Sequence, residues 1–126
     1  MNKIISWLLS GDTAIQFQAK RDLLTTKANE LEILQKRISS EGWGKTYLQK
    51  RDNSTGQWGN GWYSPKWIST HYTLLDLRNI GIHHTTIEYQ ESAKFLLDEL
   101  WFNKGKVRKD RWQDLCITGM LLHICC

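Results

Sequence analysis

The sequence predicts an all-α chain built from paired helices. Three observations carry that reading. Apolar residues recur at helical spacing along most of the chain. Helix start and stop signals interrupt them at short intervals. No run alternates apolar and polar residues for long enough to make a strand.

The elements follow in order. A short first helix spans about residues 2–9, and "SGD" breaks it. Asp12 is placed to cap a second helix, because its carboxylate can accept from exposed backbone N–H groups. Ile15, Ala19 and Leu23 then fall on one face. A third helix from about Ala28 carries Leu31, Leu34 and Ile38, and Gly42 can take the left-handed conformation that closes it. Trp43, Tyr47 and Leu48 mark a short fourth helix. Ser64-Pro65 reads as the start of a fifth, serine as N-cap and proline in the first turn. This helix ends at Gly81, with Trp67 or Ile68, His71, Tyr72, Leu75 and Asn79 on its inner face. Thr85 and Glu88 form a capping box for a sixth helix holding Tyr89, Ala93, Leu96 or Leu97, and Leu100. His83 and His84 read as exposed turn residues. A basic loop, 103–111, leads to a seventh helix from about Trp112, still apolar when the chain stops. That abrupt end leaves backbone carbonyls to be satisfied, by a second copy or by further sequence.

Bulk properties narrow the function. With 126 residues, 1–126 reads as a single domain, incomplete at its C-terminus. The net charge is +4 and the pI about 9.0. The densest basic cluster, Lys104, Lys106, Arg108, Lys109 and Arg111, sits in one loop and reads as a solvated surface, not a nucleic-acid site. The apolar run near the N-terminus is shorter than a signal peptide needs. No segment reaches the roughly twenty apolar residues of a membrane span. A cytoplasmic location follows from these two readings. Three cysteines, Cys116, Cys125 and Cys126, do not make a disulfide framework. The adjacent terminal pair is compatible with metal binding, lipidation, redox pairing or none of these.

Residues 56–67, "GQWGNGWYSPKW", hold three of the seven tryptophans, three of the nine glycines and the one proline. The segments 47–77 and 95–124 also resemble each other, with Leu74-Leu75 and Leu121-Leu122 in matching places. Such a repeat implies helix pairs that bury their faces by stacking.

"YLQKRDNSTGQWG" resembles the QW-type repeat of terpenoid cyclases. "GNGWYSPKWISTHYTLLDLRNIGI" resembles bacterial proteins related to the squalene cyclase and protein prenyltransferase superfamily. The resemblance implies part of an α/α toroid, the N-terminal half of a ring around an apolar cavity. It implies an isoprenoid or other apolar ligand, with the ring completed by self-association or by a missing C-terminal half. Arg51 stands where the repeat's glutamine falls. Trp58 then reads as a buried plug on a helix end. Trp62, Tyr63, Trp67, His71 and Tyr72 are the candidate ligand-pocket residues; core packing is the competing reading for the aromatic ones.

The resemblance also bears on chemistry. Squalene-hopene-type cyclases protonate their substrate with a run of aspartates, and this chain has none. No catalytic residue is assigned. Protein prenyltransferase β subunits hold zinc with an Asp-x-Cys pair and a later histidine. Asp114 and Cys116 match that pair, and His71 is a conceivable third ligand. Against zinc stands the simpler reading: Asp114 as a helix cap and Cys116 as a small buried side chain. Two functions remain open at this point. One is a prenyltransferase- or cyclase-like domain that binds or processes an apolar ligand. The other is a non-catalytic helical-repeat module for protein–protein interaction. Carbohydrate binding would need the tryptophans in solvent.

Overall fold

Seven helices make up the fold in a computed structural model that describes residues 2–100 and 114–126, with the backbone of Phe102–Asn103 and Lys106–Val107. They are α1 (Lys3–Leu9), α2 (Thr13–Leu23), α3 (Ala28–Arg37), α4 (Gly42–Gln49), α5 (Thr70–Ile80), α6 (Ile87–Leu100) and α7 (Leu115–Cys125). A short antiparallel ladder two residues long pairs β1 (Phe102–Asn103) with β2 (Lys106–Val107). The basic-loop side chains and Trp112 lie outside the described residues.

The chain falls into two compact units. The first comprises residues 1–50 and 79–86. Here α2 is central, with α1, α3 and α4 packed on it. Asp12 shows why. Its Oδ1 accepts from the Ala14 N–H at 2.9 Å, capping α2. Its Oδ2 accepts from the Trp43 N–H at 2.9 Å, capping the start of α4. One carboxylate therefore satisfies orphan donors of two helices. Gly42 has φ 54° and lies so close that a Cβ there would strike the Asp12 carboxylate. The left-handed glycine is where the sequence puts it, but it opens α4 instead of closing α3.

The buried face of α2 is Thr13, Ala14, Phe17 and Ala19, while Leu23 is exposed and Ile15 half-buried. The expected stripe is thus rotated. Phe17, the bulkiest apolar side chain of the helix, packs where Gly81 lacks a Cβ, and a Cβ there would stand 2.8 Å from its ring. Gly81, with φ 92°, ends α5 as predicted. Leu34 and Ile38 are buried as the α3 pattern requires. His83 is a correction: it is buried, its Nδ1 accepting from the Thr85 N–H at 3.2 Å and lying 2.7 Å from the Thr85 hydroxyl. That engagement also takes the Thr85 side chain away from the expected capping box. His84 is exposed and its ring lies 4.3 Å from that of His83.

The second unit comprises residues 51–78 and 87–126. Leu74, Leu77, Leu96 and Leu121 are its fully buried leucines. α5 starts at Thr70, five residues after Pro65. Trp67 at φ 72° lies outside the right-handed helical region, so no helix can run through it. The start of α5 is capped from a distance in sequence instead. The Gly61 carbonyl accepts from the Thr70 N–H at 3.0 Å, and the Trp62 carbonyl from the His71 N–H at 2.8 Å. Thr70 Oγ1 donates to the Gly61 carbonyl at 2.6 Å and accepts from the Trp58 N–H at 3.0 Å. The glycine-rich loop is thus folded back onto the helix it precedes. On the inner face of α5, His71, Tyr72, Leu74 and Leu77 are buried; Leu75 is half-buried and Asn79 exposed.

The last helix ends with partners. Tyr89 donates to the Ile124 carbonyl at 2.6 Å, and Arg78 Nε donates to the His123 carbonyl at 3.3 Å. Carbonyls that the sequence leaves open are met by α6 and α5. Burial pushes the Tyr89 phenol up, so the donor stays protonated.

Candidate ligand site

The second unit brings four of the five predicted pocket residues together. Ring centroids are 5.0 Å apart for Trp67 and Tyr72, 5.7 Å for Tyr63 and Tyr72, 5.3 Å for Tyr63 and His71, and 5.1 Å for His71 and Tyr72. These spacings suit tilted and edge-on aromatic contact. Trp62 does not join them. It packs edge-on against Phe95 of α6, 6.3 Å away. Two elements build the cluster: the loop presents Tyr63 and Trp67, and the first turn of α5 presents His71 and Tyr72.

Exposure divides the cluster. Trp67 is 76% exposed, Tyr63 half-buried, Tyr72 buried and His71 0% exposed. The helical pattern places Trp67 or Ile68 on the inner face of a helix. Both are in solvent because the chain is still turning there. A large aromatic held outside, on a backbone that costs on the order of 1–3 kcal/mol to hold, is not explained by packing.

The polar atoms are few. Tyr72 donates to the Tyr63 hydroxyl at 3.3 Å, and that bond, with burial second, pushes the Tyr72 phenol up to about 12. His71 Nε2 lies 3.4 Å from Met120 Sδ. Its Nδ1 has no hydrogen-bond partner among the described residues. Burial holds the imidazolium pKa below its ordinary value, so the ring is neutral near pH 7. Met120 of α7 is a cluster member that the sequence reading missed. It lies four residues past Cys116 on the same helix, a spacing that puts both on one face.

The metal-ligand candidates part company. Asp114 and Cys116 are both exposed, and the Asp114 side chain makes no cap bond. The capping and burial readings of these two residues are therefore corrected: the chain passes into α7 with both side chains in solvent. Cys116 is an electrostatic neighbour of Tyr72. His71 faces Met120. Among the described residues no three His, Cys, Asp or Glu side chains gather as a ligand set. Cys125 and Cys126 are exposed thiols.

The two buried histidines make stability pH-dependent. Burial lowers the pKa of both His71 and His83 from 6.5. Below pH 6.5 the unfolded chain therefore takes up protons that the folded chain refuses. Their contribution is complete above pH 6.5 and is lost as pH falls from there through the folded values. Urea midpoints should be constant from pH 8 to 7 and drop between pH 6.5 and 5. A midpoint unchanged over the lower interval would show that neither imidazole is buried.

No protein-family model, curated protein or solved structure matches the chain. Among the described residues no helix is long and apolar enough to cross a membrane.

Proposed function

We propose that this chain is a ligand-binding helical domain whose Tyr63–Trp67–His71–Tyr72 cluster receives an apolar small molecule. The observation that carries the reading is Trp67: 76% exposed, at φ 72°, with its ring 5.0 Å from a buried tyrosine. Strain and exposure of that kind collect at binding sites. The isoprenoid class, the partial α/α toroid, the repeat and a cytoplasmic location are part of the same proposal. The resemblance of residues 47–59 to a QW-type loop supports the first three, and the buried Trp58 in a glycine loop that caps the next helix agrees with it. The proposal is of binding.

A second reading rests on α1, which buries none of its seven residues and exposes Ile4 and Trp7. That face suits a protein-interaction module or a second copy of the chain.

The test is titration with farnesol, read by tryptophan fluorescence. Binding should weaken at least tenfold in Trp67→Ala, with stability changed by about 0.5 kcal/mol or less, as for a surface residue. Equal affinity in wild type and variant would remove Trp67 from the site and favour the interaction module.

A further inference from the structure

The ligand's head group can be read from the unspent hydrogen-bonding capacity of the cluster; the inference rests on the binding reading above. Met120 Sδ carries no hydrogen and is a weak acceptor, so its 3.4 Å contact with His71 Nε2 is favourable when that nitrogen holds the imidazole proton. Nδ1 is then a bare acceptor on a side chain that is 0% exposed. A buried polar group without a partner is costly, and such groups in native proteins call for an explanation. Beside it, the Tyr63–Tyr72 pair spends one phenol proton on its mutual bond. The other phenol proton has no acceptor among the described residues.

One aromatic cluster thus offers a bare acceptor and a free O–H donor. The rings of His71 and Tyr63 are in edge-on contact, with centroids 5.3 Å apart, so the acceptor and the donor stand on neighbouring rings. We infer that the site takes an apolar alcohol, whose hydroxyl donates to His71 Nδ1 and accepts from the Tyr63 hydroxyl. A hydroxyl does both; an indole or thioether cannot. A charged head group is not what this cluster reads, because its polar atoms are a neutral imidazole nitrogen and two phenols. Tyr63 is half-buried and touches His71 edge-on, so it is the outer of the two rings.

The experiment compares farnesol with farnesyl methyl ether, which keeps the chain and loses the donor. The wild-type protein should bind the alcohol at least tenfold more tightly than the ether. His71→Phe keeps an aromatic ring and removes the acceptor; it should erase that preference. Tyr63→Phe, at a half-exposed position, should reduce it even if the buried variant does not fold. Equal binding of alcohol and ether by the wild type would overturn the hydroxyl assignment and leave the apolar site standing, with water as the partner of Nδ1. Binding of neither would overturn both.

Discussion

Trp58→Ala is expected to destabilise the protein by about 3–5 kcal/mol, the usual cost of truncating a large core aromatic. The side chain is 3% exposed. Its backbone N–H donates to Thr70 Oγ1, and the same hydroxyl donates to the Gly61 carbonyl. A void at Trp58 would thus loosen the loop carbonyls that cap α5, beyond the loss of buried area. Because His71 and Tyr72 stand on that first turn, the aromatic cluster should loosen with it. Urea unfolding measures the first effect and farnesol affinity the second. A stability loss below about 1 kcal/mol would contradict a core role for Trp58.

Arg51→Met should cost about 2–3 kcal/mol, the range for hydrogen bonds made by a charged group. The Arg51 side chain is 5% exposed. Nε donates to Ser92 Oγ at 2.8 Å, Nη1 to Asn53 Oδ1 at 3.2 Å and Nη2 to Glu91 Oε2 at 3.0 Å. Ser92 Oγ in turn donates to the Gly56 carbonyl at 2.7 Å. The guanidinium fixes the loop to α6. Glu91 is half exposed and can return to water, which keeps the cost below the roughly 3–5 kcal/mol of breaking a fully buried pair. Arg51→Lys should not restore the loss, since an ammonium cannot reproduce the fork that reaches three partners. Arg51→Met within 0.5 kcal/mol of wild type would show that the network contributes nothing.

Arg51 also shows how far the sequence could be read. It is a departure from the glutamine of the QW-type pattern, and its sequence neighbourhood gives no hint of burial. Its partners Glu91 and Ser92 lie about forty residues away. The signals that held were local ones. Asp12 caps α2, Gly81 ends α5 with a positive φ, and Leu34 and Ile38 keep a helical period. Those that failed depended on residues far along the chain. Ser64-Pro65 has the composition of a helix start, yet the carbonyls of Gly61 and Trp62 cap α5. His83 looks like a turn residue, yet tertiary packing buries it. The four rings that cluster were legible as neighbours because they crowd one short segment. Met120 was not, because its contact with His71 spans 49 residues.

The two bonds that finish α7 have a consequence for the order of folding. Tyr89 and Arg78 reach the Ile124 and His123 carbonyls across 35 and 45 residues of chain. Contacts of such separation carry a loop-closure cost before they return any stability. The terminal turn of α7 is therefore expected to lock after α5 and α6 have formed, on the native side of the barrier. Removing either bond, as in Tyr89→Phe, should then speed unfolding and leave the folding rate nearly unchanged.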